Sequence, residues 1–128
     1  DAECAWYGDP AFDLAFCLKH LMLKCLVVPA GAVKLMKCFD AMVGGYLNAL
    51  TEDLRGDGNV GIEARTARLL PGLLLARVDG KSPVEYLTQE KDKDRVRHAA
   101  SGLLLEPVSR LGDVRRVWEE ELSKGQKR

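Results

Sequence analysis

Apolar side chains recur every three or four positions along most of this chain, a spacing typical of amphipathic helices. Alternating, β-branched runs of four to eight residues, which would indicate strands, do not occur. The first helix should begin at Asp9-Pro10, a capping residue followed by proline in the first turn. Its apolar positions are Leu14, Leu18, Leu21 and Cys25, widened by Cys17 and Met22. Few polar residues interrupt them, so this helix is expected to be buried on several sides.

The next two helices follow breaks at residues 28–31 and 55–59, which contain proline or glycine. The second helix carries on one face Val33, Met36, Phe39, Val43, Tyr46 and Leu50. Gly44-Gly45 within it predicts either the close approach of another backbone or a kink. A third helix is expected from Val60 to Val78, bent at Pro71 and ended by a left-handed glycine cap at Asp79-Gly80. Its inward-facing residues are Ala64, Ala67, Leu70 and Leu74.

Three further segments complete the pattern. Residues 82–85 match a capping box and predict a short helix or turn that ends at Leu87. A fourth helix should begin at Thr88 or within residues 90–95, pack Val96, Ala100 and Leu103 or Leu104, and stop at Glu106-Pro107. Ser109 is expected to cap the last helix, which packs Leu111, Val114, Trp118 and Leu122. The pattern predicts an all-α bundle of five to six helices in one domain over residues 1–122, with a frayed polar tail over residues 123–128.

Composition and charge narrow the classes of function. The 128 residues carry 19 basic and 19 acidic side chains, so no basic excess indicates a nucleic-acid partner or an anionic membrane surface. Lysines and a proline interrupt the apolar stretches, and none reaches the roughly 20 residues of a membrane-spanning helix. No signal peptide opens the chain, so the sequence predicts a cytoplasmic protein. A start at Asp1 rather than methionine indicates trimming from a longer product.

The cysteines and histidines do not form a recognisable site. Cys17, Cys25 and Cys38 fall among apolar helix positions, where free cysteine acts as a small hydrophobic residue; the fourth cysteine is Cys4. A disulfide framework is not expected, because the chain is not a cysteine-dense small scaffold. His20 and His98 complete no zinc pattern. Both are interpreted as surface or packed helix residues rather than as catalytic bases.

Two segments carry a resemblance to a known family. Asp1 to Phe16 resembles the segment after the catalytic loop of aminoglycoside phosphotransferases and choline kinase-like small-molecule kinases. The family pattern there is an aspartate, an acidic residue, Gly-Asp-Pro and then Asp-Leu-Ala. The matching residues are Asp1, Glu3, Gly8, Asp9, Pro10 and Asp13. The run from Leu69 to Leu87 resembles a C-terminal segment of the same group, which implies that this chain corresponds to the C-terminal helical part of such a kinase.

The resemblance implies roles for the matching residues. Asp1 corresponds to the aspartate that holds magnesium between the nucleotide phosphates, so residues 1–8 represent a remnant of the metal-binding segment. Glu3 is a candidate for holding a metal-bound water or a substrate group, with a solvated carboxylate as the alternative. Asp9 has a structural explanation as a helix cap. Asp13 corresponds to an aspartate that braces the catalytic loop, and without that loop it needs another partner or water.

The resemblance also directs attention to the end of the third helix. The helical part of such kinases shapes the acceptor pocket, and Arg77, Asp79 and Lys81 lie where a loop should follow this helix. These three residues are therefore candidates for substrate binding. The alternative is that they are ordinary solvated residues around a glycine cap. The acceptor stays open, since an antibiotic, a sugar and an amino alcohol are equally compatible with the sequence.

The sequence contains no His-Gly-Asp loop and no nucleotide-binding lobe with its phosphate-binding lysine. Phosphoryl transfer depends on positioning and charge neutralisation, so the chain alone is expected to have no catalytic residues, no cofactor and no kinase activity. It would then be a small-molecule-binding or oligomerising module, expected to form a homodimer through apolar surface near Trp6, Tyr7 and Phe12. One alternative is the C-terminal part of an active kinase that uses ATP and magnesium, with an N-terminal portion outside this chain. Another is an unrelated helical interaction protein.

Overall fold

A computed structural model describes residues 9–49, 61–80 and 87–126 of the chain. The elements in these ranges are five α-helices and one 3₁₀ turn, with no strand among them. The helices are α1 (Pro10–Val27), α2 (Ala32–Ala49), α3 (Ile62–Asp79), α4 (Glu90–Leu105) and α5 (Leu111–Gln126), and the turn is Pro29–Gly31. The all-α bundle expected from the sequence is confirmed. The capping box predicted at residues 82–85 lies outside the described residues.

Successive helices run in opposite directions. The hydroxyl of Tyr46, near the end of α2, donates to the carbonyl of Pro10 at the start of α1 at 3.1 Å. Asp9 lies beside Arg65, so α1 and α3 begin at the same end of the bundle. Asp79 at the end of α3 pairs with Arg97 in α4. Helices α1 and α3 occupy the centre: α1 packs against α2, α3 and α5, and α3 packs also against α4 and α5.

One continuous apolar core joins all five helices. The largest apolar side chains that are fully buried in it are Leu14, Leu18, Met22, Leu23, Met36, Phe39, Leu70, Leu74, Leu111 and Trp118. Most of the apolar stripes expected from the sequence therefore face the interior. Leu103 of α4 is buried and its neighbour Leu104 is half exposed, which decides the alternative left open by the sequence. No helix in the described ranges is both long enough and apolar enough to cross a membrane.

Helix α2 is less buried than its pattern predicts. Val33 is 69% exposed, although the sequence places it on the packed face. An added Cβ at Gly44 or Gly45 would meet nothing within 4 Å, so the predicted close approach of another backbone is wrong. The reason is topological: α2 lies at the edge of the bundle and packs mainly against α1 and the 3₁₀ turn. Apolar residues on its outer flank consequently stay in contact with solvent.

The cysteine prediction is correct for one residue and wrong for two. Cys25 is buried in the core, whereas Cys17 and Cys38 are exposed free thiols. Each exposed cysteine directly precedes a buried residue, Leu18 or Phe39. Cys4 lies outside the described residues. Spacing alone therefore overestimates burial at the margins of an apolar stripe.

Several helix ends differ from the sequence-based predictions. Helix α3 continues through Pro71 and ends at Gly80, as expected, but Gly80 has a φ of −84° rather than a left-handed conformation. Glycine is required there because an added Cβ would collide with the carbonyl oxygen of Ala76. Helix α5 extends to Gln126, so residues 123–126 of the predicted tail are helical. The polar composition of this segment did not prevent it from continuing an established helix.

The start of α5 is capped from another helix. The helix begins at Leu111, one residue too late for Ser109 to occupy the N-cap position. The backbone N–H of Leu111 instead donates to Oε2 of Glu63 in α3 at 2.8 Å. A carboxylate at this position satisfies an unpaired backbone donor and complements the positive end of the helix dipole. The predicted local cap is therefore replaced by a tertiary contact.

Candidate functional site

The residues expected to carry function are only partly described. Those outside the described residues are Asp1, Glu3, Gly8 and Lys81. The roles expected for them, including magnesium binding at Asp1, stay predictions. Within the described ranges, no group of three or more His, Cys, Asp and Glu side chains is arranged to hold a metal ion. The described candidates are Asp9, Pro10, Asp13, Arg77 and Asp79.

Asp9 caps α1 and also ties it to α3. Its side chain accepts from the backbone N–H of Ala11 at 3.1 Å, which confirms the predicted cap. Two nitrogens of Arg65 donate to the same carboxylate, at 2.7 and 3.0 Å. The hydrogen bond from Arg65 is the main reason that the pKa of Asp9 is lowered. Asp9 thus has a structural role at this end of the bundle, and its partner Arg65 was not predicted from the sequence.

Asp13 lies half-buried in the first turn of α1, with Pro10 at the start of that turn. Burial raises the pKa of the Tyr46 hydroxyl, and the charges of Asp13 and Asp9 raise it further. This hydroxyl donates to the Pro10 carbonyl, so it stays protonated and keeps its hydrogen bond at neutral pH. The Asp-Leu-Ala motif consequently lies against the end of α2.

Arg77 and Asp79 face different neighbours, although they are two residues apart. Asp79 is exposed and is held by Nε and Nη2 of Arg97, whose hydrogen bonds lower the pKa of its carboxyl. Arg97 also binds Glu90 and Asp94, so Asp79 belongs to a surface ion-pair network between α3 and α4. Arg77 is half-buried, and its Nε has no hydrogen-bond partner in the described part of the chain. Arg77 and Asp79 therefore do not form one binding site in the structure.

Arg77 lies instead near a lysine that sequence reasoning missed. Lys19 is fully buried, and its Nζ lies 3.5 Å from the centre of the Phe16 ring. This nitrogen has no hydrogen-bond partner among the described residues. Burial and, to a smaller extent, the positive charge of Arg77 together lower the pKa of Lys19 to about 8. An ammonium group over an aromatic face gains some stabilisation, but far less than a carboxylate partner would supply when water is excluded.

Two more basic side chains complete this group. The His20 ring packs edge-on against Phe16, with ring centres 5.0 Å apart. Burial lowers the pKa of His20, and so do the charges of Lys19, Arg77 and Lys24. No carboxylate in the described ranges forms an ion pair with any of the four basic residues. We call Lys19, His20, Lys24 and Arg77 the cationic cluster.

One sequence signal could have identified Lys19. Positions 11, 15, 19, 22 and 26 form a helical stripe, and all five are buried. Lys19 is the one charged residue in this stripe, but its neighbours His20 and Lys24 suggest a solvated face. A charged residue within an otherwise apolar stripe is the pattern to examine first.

A cavity lies at the opposite end of the bundle from Asp9. Its volume is about 290 Å³, and it is bounded by the end of α1, the 3₁₀ turn, the start of α4 and α5. The apolar wall consists of Cys25, Leu26, Pro29, Ala32 and Leu122, and the polar wall of Gln89, Lys91, Asp92 and Arg95. A second cavity of about 230 Å³ shares Ala32 and Leu122 with the first. The two form one groove beside the α1–α2 turn.

Arg95 is the central polar residue of this groove. Its Nη2 donates to the carbonyl of Leu122 at 3.0 Å, and its Nη1 lies 3.6 Å from Asp92. The Nε atom is buried and has no hydrogen-bond partner in the described ranges. The guanidinium is therefore held in place at the polar wall of the groove. Lys91, on the same wall, is exposed and forms no ion pair with the described residues.

Cys25 contributes a thiol to the apolar wall. The thiol donates to the carbonyl of Leu21 at 3.4 Å, and burial raises its pKa. The Trp118 indole opposes this rise, but not enough to reverse it. Because the thiolate is the nucleophilic form, Cys25 is a poor nucleophile at neutral pH. Cys25 therefore contributes apolar surface to the groove rather than a reactive thiolate.

Comparison of the chain with protein families, with curated proteins and with solved structures gives no match.

Proposed function

We propose that this chain is a helical module that binds a small molecule and does not transfer phosphate by itself. The observation that carries the proposal is the cavity of about 290 Å³ between α1, α4 and α5. Its size is near the lower limit of small-molecule sites, and a wall of apolar side chains opposite a few polar groups is typical of them. It joins three helices, so their packing determines its shape.

The charges around this cavity favour a ligand with an anionic group. Arg95 and Lys91 contribute two positive charges, and Asp92 offsets one of them. The N-cap residue of α4, Gln89, provides no side-chain cap, although Glu90 and Asp92 in the first turn offset the positive end of the helix dipole. A carboxylate in the cavity would lie beside the positive charge of Arg95, a lining residue. We infer a small ligand with an apolar body against Leu122 and Leu26, and a carboxylate at the α4 wall.

Three probes with the same ring test this preference: benzoate, benzamide and benzylamine, titrated into ¹⁵N-labelled protein. Benzoate should shift the amide signals around Arg95 saturably and bind at least about fivefold more tightly than the other two. Ala32→Leu should weaken benzoate binding by about tenfold, because Ala32 lines both cavities and a larger side chain fills the groove. Ala30→Leu is the matched control, because Ala30 is exposed and lies outside both cavities. Equal binding of all three probes, or equal binding by both variants, would contradict the proposal.

The relation to kinases is proposed from the resemblance. The residues that carry it include Asp9, Pro10 and Asp13, which begin a central helix of the bundle. In the proposed relation, this chain supplies the acceptor-binding helices of a phosphotransferase-like protein. The alternative is that it belongs to an active ATP-dependent kinase, with magnesium and a nucleotide-binding portion supplied by another part of the protein. In either case, the chain alone lacks the lysine and loop that position the phosphates.

Calorimetric titration of magnesium-ATP into the 128-residue chain should give no saturable heat. Light scattering on the same sample should give the mass of a dimer. The sequence predicts the dimer contact near Trp6, Tyr7 and Phe12, of which Trp6 and Tyr7 lie outside the described residues. We propose a second contact through apolar side chains exposed near the α1–α2 turn. These are Val27, Val28 and Val33. Exposed apolar patches commonly serve as interfaces, and a two-fold contact is the simplest way to bury one. Saturable ATP binding would overturn the inactive-module proposal in favour of the kinase alternative, and a monomer mass at high concentration would refute the dimer.

A further inference from the structure

The cationic cluster contains two donors that the described residues leave unsatisfied. Nζ of Lys19 and Nε of Arg77 are both buried and have no hydrogen-bond partner within the described ranges. Buried polar atoms in folded proteins nearly always have a hydrogen-bond partner, and a buried polar atom without one commonly marks a bound ion or water. Here both unpaired donors belong to basic side chains, and Lys24 adds to the positive potential, whereas the lowered pKa of His20 leaves its imidazole mainly neutral at pH 7. The missing partner should therefore be an anion.

We propose that the cationic cluster binds a phosphoryl oxyanion, either as inorganic phosphate or as the terminal group of a small phosphate ester. Arg77 supplies planar donors suited to two phosphate oxygens, and Lys19 supplies a point charge beneath them. The site lies on the C-terminal halves of α1 and α3 and shares no lining residue with the cavity. It is thus separate from the proposed carboxylate site and does not depend on it.

The position of Phe16 explains how an anion could reach Lys19. The Phe16 ring lies directly beneath Nζ and is itself 38% exposed. Lys19 is therefore only one side chain away from solvent at this point of α1. Phe12 and His20 pack against the other surfaces of the same ring. Because Nζ has almost no accessible surface, the proposal requires the Phe16 side chain to move before an anion at Arg77 can contact the ammonium group.

The lowered pKa values in the cluster reflect burial and neighbouring positive charge. Burial lowers the pKa of Lys19 and of His20, the charge of Arg77 lowers both pKa values further, and Lys19 also lowers that of His20. A bound dianion would reverse the electrostatic part of this effect, because an opposite charge nearby favours the protonated form. The pKa of the His20 imidazole should therefore rise when phosphate binds. A purely structural role for Lys19 predicts no such response.

The test is titration of inorganic phosphate and, separately, of phenyl phosphate into the full chain, followed by the imidazole proton signals. Phosphate should raise the pKa of His20 saturably, and sodium chloride at equal ionic strength should not. Lys19→Met and Arg77→Met should each weaken binding by at least about tenfold. The matched control is Lys37→Met, which removes one exposed charge on α2 and should change the affinity by less than about twofold. Circular dichroism establishes that each variant is folded.

The outcomes separate the possible sources of the anion. Tighter binding of phenyl phosphate than of phosphate would assign the site to an ester, and the reverse order would assign it to the free ion. Either order supports the site. A His20 signal that does not respond to either compound would overturn the proposal. An equal loss of binding in Lys37→Met and Lys19→Met would do the same, because it would indicate general charge attraction.

Discussion

Lys19→Met should raise the free energy of unfolding by about 2–3 kcal/mol at pH 7 in a buffer free of phosphate. Lys19 is fully buried, and its ammonium group has no hydrogen-bond partner among the described residues. Its pKa falls from an ordinary value of 10.5 to about 8, which corresponds to a cost of about 3 kcal/mol for keeping the charge in the folded state. Methionine retains most of the aliphatic volume and removes the charge. The measurement is urea unfolding followed by circular dichroism.

The pH dependence of this stabilisation gives a sharper test. The folded-state pKa of Lys19 lies below the unfolded one, so between pH 8 and 10.5 the unfolded chain holds a proton that the folded chain has released. Stability of the wild-type protein therefore rises with pH through this window, relative to Lys19→Met. The advantage of the variant should be largest below pH 8 and nearly vanish at pH 10.5. A pH-independent advantage, or destabilisation by methionine, would show that the ammonium group is not buried as described.

Lys37→Met provides the control for net charge. Lys37 is exposed on α2, so its replacement should change the free energy of unfolding by less than about 0.5 kcal/mol at every pH. Adding phosphate should stabilise the wild-type protein and not Lys19→Met, if the cationic cluster binds it. The same lysine would then destabilise the free protein and strengthen its binding of an anion. Binding sites commonly contain groups that are unfavourable for folding alone.

Leu103→Ala should lower the free energy of unfolding by about 2–5 kcal/mol, whereas Leu105→Ala should change it by less than about 0.5 kcal/mol. The two leucines are two residues apart in α4, yet Leu103 is 3% exposed and Leu105 is 83% exposed. The substitution removes the same atoms at both positions. At Leu103 it leaves a cavity in the shared core, and at Leu105 it removes contacts mainly with water. Urea unfolding of both variants measures the difference directly.

This pair tests the rotation of α4 about its axis. Val96, Ala99, Ala100 and Leu103 face the core in the structure. Two residues along a helix differ by about 200° in direction, so a rotated α4 would exchange the two effects. Similar losses in both variants would indicate that Leu105 is covered by another segment or a second copy of the chain. The far-UV circular dichroism of Leu105→Ala should match that of the wild-type protein.

The helices were predictable because their determinants are local. Hydrogen bonds within a helix join residues four apart, and the apolar stripe repeats at the same spacing, so a window of about 15 residues contains the signal. Asp9-Pro10 fixed the start of α1, and Asp79-Gly80 marked the end of α3. The errors occur where burial depends on neighbours. Val33 and Cys38 belong to a helical stripe, yet α2 lies at the edge of the bundle and leaves them exposed.

The candidate sites were much less predictable. Arg77 was identified at the end of α3 from the resemblance, but Asp79 beside it belongs to an ion-pair network with Arg97. The two buried donors of the cationic cluster come from α1 and α3, which are separated by more than fifty residues in the chain. The groove combines residues from the α1–α2 turn, α4 and α5. Such combinations depend on which helices pack against each other. The composition of the chain and the spacing of its apolar residues do not predict these helix pairs.

The sequence by itself determined that this protein is helical, where its helices lie and which faces are apolar. The tertiary structure alone decided that Lys19 is buried without a partner, that Glu63 caps α5 and that Arg65 holds Asp9. The physical reason is the range of the interactions involved. Helix formation and amphipathic spacing act over a few residues, whereas burial of a charge and pairing across helices depend on the packing of distant segments.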